Sequence, residues 1–244
     1  MLDVLGNGGL TERRRDAEEA LRSPLTTEIP MIGSRLMMAP LGAVLLASCS
    51  RGAPAAPPVK IAQVRAAAVG SPVTVEGIVS VPSGLIDAGF AITDGEAGIH
   101  VAADSTTRFA AGDRVRVTGT RAEVRKMASV SPTRVERLGK GTPPPPKTVR
   151  TGEIGEATEG LVVKVSGRAL TPIVQDLPYG YKIWVDDGSG RVQLFLAKSG
   201  GDFGLDRLLV NSTITATGIS AQYNDVYEVL PVSRADVAAS GGLR

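Results

Sequence analysis

The sequence predicts an all-β protein made of two tandem copies of one small barrel. The main observation is a repeat: the same short motifs occur twice in the same order, about 90 residues apart. A repeat of this length has the size of a small domain and is too long for a solenoid unit. The motifs lie at 71–79, 89–95, 98–101 and 112–119 in the first copy and at 161–167, 183–188, 192–196 and 211–218 in the second.

Within each copy the apolar residues alternate with polar ones over short segments, as in 73–75 and 115–117. Period-two alternation bounded by Gly, Asp and Pro predicts antiparallel strands with one buried face. Between the third and fourth strands, segments 105–111 and 201–208 are each predicted to form a short helical insert. Five strands with such an insert after the third is the order of the OB-fold, a Greek-key barrel that binds ligands over strands two and three.

Composition and proline content set the domain boundaries. The chain is 43% hydrophobic and 21% charged, which is enough apolar material for globular cores, and its net charge of +2 gives no strong argument for nucleic acid. Proline-rich segments separate the modules, because consecutive prolines exclude helix and sheet. The predicted order is an extension at 1–30, a signal segment at 31–49, a tether at 50–58, the first module at 59–139, a linker at 140–147, the second module at 148–238 and a tail at 239–244.

The single cysteine, Cys49, excludes an intramolecular disulfide and lies at the end of an apolar segment. Arg35 precedes the apolar run 36–46, which leads into Leu46-Ala-Ser-Cys49. This segment resembles a bacterial lipoprotein signal, and it is shorter than a membrane-spanning helix. The resemblance implies export, acylation of Cys49 and attachment to a membrane of the cell envelope. The alternative is a free cysteine in a plain signal peptide or apolar helix.

Residues 1–30 precede this signal although an export signal normally begins the chain. The segment is polar and of mixed charge, and Met31 follows it. We expect Met31 to be the true start, the alternative being a cytoplasmic tail on a membrane-anchored protein.

The residues of the repeat also resemble the tandem OB-fold regions of secreted bacterial nucleases and related DNA-binding envelope proteins. The resemblance rests on Gly77 and Gly167, the turns 94–95 and 187–188, strand 112–119, the linker prolines, 159–165 and the closing motif 229–237. It implies nucleic-acid binding. We do not expect it to extend to hydrolysis, because we expect no counterpart here of the metal-dependent phosphodiesterase domain to which the OB pair of those nucleases is joined. Val232 also stands where the resemblance would place an arginine.

The side chains that could form a catalytic or metal site do not predict catalysis. The single histidine, His100, lies on a predicted strand without the Cys or His partners of a zinc site or a catalytic triad, and we expect it to be solvated. The segment 186–190 lacks the later ligands of a calcium loop and is expected to be a hairpin turn. The sequence therefore predicts no enzyme, metal or cofactor.

The second module carries the stronger candidate site. Alternation directs Ile183 and Val185 inward, together with the apolar residues of strand 192–196. The predicted ligand-binding residues on the opposite face are Lys182, Trp184, Arg191, Gln193 and Phe195, with Tyr223 and Tyr227 bordering the same groove. Two rings beside two cations can stack bases or sugars. The alternative is that Trp184 and Phe195 pack against the linker or the first module.

The first module has no rings at the equivalent positions, which are Ala91, Thr93, His100 and Ala102. It has a small basic excess, and its predicted phosphate contacts are Arg116, Arg121, Arg125 and Lys126. The alternative is that these charges only solubilise the surface. Together these features predict a non-catalytic envelope lipoprotein that binds an extended polymer, with nucleic acid first, a protein or glycan scaffold second and an accessory subunit of an extracellular nuclease third.

Overall fold

The computed structural model describes residues 57–86, 89–103 and 108–241. The first barrel contains helix α1 (Ile61–Ala66) and strands β1 (Pro72–Ile86), β2 (Gly89–Thr93), β3 (Gly98–Val101), β4 (Asp113–Val124) and β5 (Met127–Lys140). The second contains β6 (Lys147–Thr148), β7 (Val162–Ala169), β8 (Val174–Asp176), β9 (Gly180–Asp186), β10 (Arg191–Ala197), β11 (Thr213–Tyr223), β12 (Val226–Leu230) and β13 (Val237–Ser240). Cys49 and the predicted signal lie outside the described residues.

Both copies have the strand order expected from the sequence. The first closes as β1-β2-β3-β5-β4, with β4 returning to β1 and β3 parallel to β5. The second repeats this as β7-β9-β10-β12-β11, with β11 returning to β7 and β10 parallel to β12. This is the OB-fold order, so the prediction of two tandem OB-fold barrels is confirmed. The short strands β6, β8 and β13 add to the second barrel at β7, β9 and β11.

Alternation along the strands fills each barrel as predicted. The side chains predicted to point inward are fully buried, among them Phe90, Ile92, Val115 and Val117 in the first core and Ile183, Val185, Leu194 and Leu196 in the second. In the second barrel the insert forms a 3-10 turn at Leu205–Arg207, flanked by the buried Phe203 and Leu208. In the first, the described part of the insert has no helix, and Phe109 packs on Phe90 with ring centroids 4.8 Å apart.

A short helical turn precedes each barrel and extends the repeat toward the N-terminus. These turns are α1 and the 3-10 turn Thr151–Glu153. They begin in the same way, since Lys60 N donates to Gln63 Oε1 at 3.1 Å and Arg150 N donates to Glu153 Oε2 at 2.8 Å. The equivalent hydrogen bonds show that the repeated unit includes this turn as well as the strands.

The turn between the second and third strands anchors this helical turn in both copies. Asp94 Oδ2 accepts a hydrogen bond from Ile61 N at 3.1 Å, and Asp187 Oδ1 accepts one from Thr151 Oγ1 at 2.9 Å. A carboxylate at the start of a helix satisfies N–H groups that have no partner within the helix. The Asp-Gly turn of each copy therefore also anchors the helical turn that precedes its barrel.

The second barrel covers the outer face of β2 and β3 in the first. A cross-strand row formed by Val81, Ala91, His100 and Ser129 runs over β1, β2, β3 and β5, and each of its members is at most 2% exposed. Val81 reaches this face because the pairing of β1 with β2 shifts register after Val79, and such a bulge reverses the side-chain alternation. Val81 and Ala91 form one apolar cluster with Ile219, Val162, Leu230 and Val232 of the second barrel.

The backbones of the two barrels come into close contact at Gly98 and Gly160. A Cβ atom on Gly98 would lie 2.0 Å from Gly160 O, so no other residue fits here without moving the backbone. Gly160 also has φ +83°, a conformation that favours glycine. These two glycines let β3 of the first barrel meet the segment leading into β7 of the second.

An ion pair lies beside this contact. Arg65 on α1 donates through Nη1 to Glu159 Oε1 at 3.0 Å and through Nη2 to Glu156 Oε1 at 2.5 Å. Glu159 Oε1 also accepts the N–H of Ala128 in β5 at 2.9 Å. The Glu159 side chain is fully buried, and burial raises its pKa, whereas that of Glu156 is 69% exposed. Both barrels belong to one compact unit.

The expectation that His100 is solvated is wrong. Its side chain is 1% exposed because the second barrel covers the face on which it lies, and its Nδ1 is 3.0 Å from Ser129 Oγ. Burial lowers the pKa of His100 to about 4, so the imidazole is neutral at physiological pH. The sequence could not indicate this burial. Alternation along the strand shows which side chains face away from the barrel core, but it does not show whether another part of the chain covers them.

We expect Glu159→Ala to lower the free energy of unfolding by about 3 kcal/mol, because it leaves Arg65 and the N–H of Ala128 without their buried partner. The matched change Glu156→Ala removes the exposed partner of the same arginine and should cost less than about 1 kcal/mol. Urea denaturation followed by circular dichroism measures both values. Equal losses for the two variants would contradict the assignment of Glu159 as the buried link between the barrels.

Candidate ligand-binding face of the second barrel

The outer face of β9 and β10 is organised by a hairpin. The segment 186–190 forms the connecting turn, as expected from the sequence, and the strands pair antiparallel from Asp186 opposite Arg191. In this register Trp184 lies opposite Gln193, and Lys182 lies opposite Phe195. All of these side chains share one face because residues two apart on a strand point the same way. The outward assignment made from alternation therefore agrees with the register.

Two aromatic rings on this face each carry a cation. The guanidinium carbon of Arg191 is 4.8 Å from the centroid of the Trp184 ring, and Lys182 Nζ is 5.9 Å from that of Phe195. Lys182 Nζ also lies 2.9 Å from Asp176 Oδ2 on β8. Both rings are half-buried, and Arg191 is exposed. The cations hold the rings against the sheet and keep positive charge beside them, which suits stacking of a planar ligand near an anionic group.

Gln193 is on the predicted face but is less accessible than expected. It is 7% exposed, and its Nε2 donates to Glu228 Oε2 on β12 at 2.5 Å. Glu228 is 6% exposed and lies beside Gln193 in the parallel pairing of β10 with β12. Glu228 was not among the predicted site residues, because a pairing between the third and fifth strands cannot be read from the sequence of either strand.

Further side chains at this face were also missed by the sequence interpretation. Arg168 on β7 is exposed and pairs in register with Asp186, so it lies on the same face as Arg191. The sequence does indicate that Arg168 faces outward, because it alternates with buried residues along strand 162–169. The segment joining β7 to β9 adds three exposed apolar residues, Leu170, Val174 and Leu177, with relative exposures of 44%, 54% and 43%.

Tyr223 and Tyr227 lie where the two barrels meet. The guanidinium carbon of Arg125 is 5.0 Å from the Tyr223 ring centroid, and Lys126 forms an ion pair with Asp225. The hairpin tips β4–β5 and β11–β12 thus contact each other, with Asn224 N donating to Arg125 O at 2.8 Å. Tyr227 Oη donates to Glu156 Oε2 at 3.2 Å, and burial raises the pKa of Tyr227.

The other predicted basic residues make contacts within the first barrel. Arg116 lies between Glu76 and Glu136, with Nη2 2.6 Å from Glu76 Oε1 and Nη1 3.4 Å from Glu136 Oε2. Arg121 is 6% exposed and pairs with Glu123 at 3.6 Å. The structure therefore places Arg116 and Arg121 in contacts within the first barrel, whereas Arg125 and Lys126 lie at the contact between the barrels, Arg125 against the Tyr223 ring.

No group of three or more His, Cys, Asp and Glu side chains among the described residues could hold a metal ion. In the same part of the chain, no helix is both long and apolar enough to span a membrane.

Comparison with known proteins gives distant likenesses in structure alone. No protein-family model and no curated protein sequence matches the chain. Among solved structures, OBody AM1L10 bound to hen egg-white lysozyme is 21% identical, covers 41% of this chain and 98% of its own, and gives a TM-score of 0.34. A murine DNA-binding protein bound to double-stranded DNA is 10% identical, covers 71% and 98%, and also gives 0.34. Tetrameric p202 HIN2 is 11% identical, covers 70% and 93%, and gives 0.33.

Proposed function

We propose that this protein is a non-catalytic binding protein that holds single-stranded nucleic acid on the outer face of β9 and β10. The observation that carries the proposal is the pair of half-exposed rings, Trp184 and Phe195, each with a cation beside it. They lie over strands two and three of an OB-fold barrel, the surface on which such barrels hold extended ligands. Stacking on aromatic rings requires unpaired bases, which favours a single strand over a duplex.

The charges on this face set the expected strength and salt dependence of binding. Arg168, Lys182 and Arg191 are the cations closest to the rings in register, while Asp176 and Asp186 are the nearby acids. About three phosphate contacts on a single strand give a log–log salt slope of about −2. Binding should therefore weaken as salt rises, but less steeply than in strongly basic proteins.

Within the described part of the chain, one such face is open. The equivalent surface of the first barrel, the outer side of β2 and β3, is buried against the second barrel. Stacking and phosphate contact are thus both assigned to the second barrel, with the first barrel acting as its support.

A protein partner is the second candidate, favoured by the exposed Leu170, Val174 and Leu177 beside the same sheet. Exposed apolar residues grouped near rings are typical of protein contact surfaces. Binding through them would depend little on salt, which separates the two candidates.

We expect Trp184→Ala and Phe195→Ala each to weaken binding of a mixed-sequence single-stranded oligonucleotide about tenfold, because each removes one stacked base. Fluorescence anisotropy of a labelled oligonucleotide measures the affinity at several salt concentrations. Quenching of Trp184 emission in the unchanged protein reports stacking directly, since the chain has one tryptophan.

The matched control is Arg134→Ala, which removes a 73% exposed cation from β5 of the first barrel and should leave the affinity nearly unchanged. Absence of oligonucleotide binding at low salt, or binding that is independent of salt, would rule out the nucleic-acid proposal. An oligonucleotide recovered intact after incubation with magnesium would agree with a non-catalytic role.

We further propose that the protein is exported and attached to the bacterial cell envelope through lipid on Cys49. The support is the resemblance of residues 35–49 to a lipoprotein signal, followed by the proline and alanine spacer 51–58. Such an anchor would place the binding face at a membrane surface.

In a bacterial host, Cys49→Ser should move the protein from the membrane fraction to the soluble fraction and abolish incorporation of labelled fatty acid. Cys49 is the single cysteine of the chain, so lipid attached through a cysteine sulfur has no other site. Incorporation that persists in the variant, or an unlabelled parent protein, would exclude this anchor.

A further inference from the structure

The outer face of β7 and β11 adjoins the ring-bearing face and carries no acidic side chain. Lys164, Ser166 and Arg168 are exposed on β7 and alternate with buried residues. The residues opposite them on β11 are threonines, namely Thr217, Thr215 and Thr213. Neither strand contains an Asp or a Glu, nor does the edge strand β13 that pairs with β11. In a chain with 27 basic and 25 acidic residues, this face is locally positive.

The cations of this face have no carboxylate partner within the described part of the chain. Lys164 and Arg168 form no ion pair or side-chain hydrogen bond with any described residue. Asp186 lies opposite Arg168 in register. Its Oδ1 instead accepts the N–H groups of Gly188 and Gly190, at 2.6 and 3.2 Å. Both cations are therefore available to an anion from outside the chain.

The equivalent surface of the first barrel is neutralised by an internal ion pair. The pair Ser166–Thr215 corresponds in the repeat to Glu76–Arg116, because Ser166 and Glu76 each precede the repeated first-strand glycine. Glu76 Oε1 is 2.6 Å from Arg116 Nη2, whereas Ser166 Oγ is 2.9 Å from Thr215 Oγ1. The second barrel thus has two hydroxyls in place of the ion pair and unpaired cations on either side of them.

The chemistry of this face favours a phosphate backbone over a protein partner. Its outward residues, at 164–168 and 213–217, are cations and small hydroxyls without a large apolar side chain of the kind that anchors protein interfaces. Lys, Arg, Ser and Thr side chains contact phosphates and sugars, and such contacts carry no direct sequence information. A ligand on this face is therefore expected to be held by its backbone.

We propose that the bound single strand continues from the rings across the outer face of β7 and β11, with phosphates at Arg168 and Lys164. This inference rests on the proposed function, whose rings lie on β9 and β10. Arg168 shares a cross-strand row with Arg191, which places the start of this path beside Trp184. Lys164 lies four residues further along β7, about 13 Å away, so only a strand longer than the rings require reaches it.

The test compares oligothymidines of about 4 and about 12 nucleotides, both within the site sizes of OB-fold barrels. Quenching of Trp184 emission measures their affinities at about 0.15 M salt, where exposed charges more than about 8 Å apart are screened. Lys164→Glu should weaken binding of the long strand about tenfold, because it removes a phosphate contact and adds a repelling charge. It should change the affinity for the short strand by less than about twofold, since that strand covers only the rings.

Lys147→Glu is the matched control, since it makes the same change of charge on the neighbouring β6. Lys147 is exposed, but its register with the buried Val163 places it on the opposite side of the sheet from Lys164. It should affect both lengths by less than about twofold.

Three results would overturn the inference and leave the proposed function standing. They are equal losses in the two variants, equal losses of Lys164→Glu on both lengths, and a Lys164→Glu variant that binds the long strand as tightly as the parent protein. Failure of the parent protein to bind either strand would overturn the proposed function itself.

Discussion

The packing of the second barrel onto the outer face of β2 and β3 is the constraint on which the rest of the structure depends. It is built from a backbone approach at Gly98 and Gly160 that allows no side chain, and from the buried ion pair of Arg65 with Glu159 beside it. Breaking such a pair leaves a buried charge without a partner, so the interface resists separation. The two copies are consequently unequal, because the outer face of β2 and β3 in the first is covered by the second.

This inequality explains the distribution of side chains between the copies. At the positions where the second barrel has Trp184 and Phe195, the first has the small residues Ala91 and Ala102, and the buried His100 stands where the second has Gln193. A large ring at Ala91 would displace the apolar cluster formed with Ile219. The basic residues of the first barrel are likewise engaged, Arg116 by two carboxylates of neighbouring strands and Arg125 by the Tyr223 ring. The second barrel keeps the open face.

The fold was predictable because its signals are local. Period-two alternation assigned Ile183 and Val185 to the core and Trp184 to the outer face, and repetition of the motifs assigned the second copy by analogy with the first. The repeat in fact starts earlier, at the segments 59–64 and 149–154, where a helical turn opens each copy. That signal was weak, since it consists of a few similar residues and one hydrogen bond from backbone to side chain in each copy.

The interface was not predictable, for a physical reason. Alternation shows which side of a strand faces away from the barrel core. Whether that side is buried depends on a partner that is distant in sequence. His100 was therefore expected in solvent, and Tyr223 and Tyr227 were grouped with the rings although they lie at the contact between the barrels. Glu228 escaped notice because its partner Gln193 is on a strand 35 residues away in sequence.

The central claim, that the second barrel covers the outer face of β2 and β3 in the first, is tested most directly by the imidazole of His100. The chain has one histidine, so its ring signals in a carbon-edited proton NMR spectrum are assigned without ambiguity. The covered face predicts that the folded protein shows no titration of this ring between about pH 7 and pH 5, because burial lowers the pKa of His100 to about 4. A ring that titrates near the ordinary histidine value of about 6.5 in the folded protein would contradict the account, since it would place His100 in water and leave the first barrel's face open.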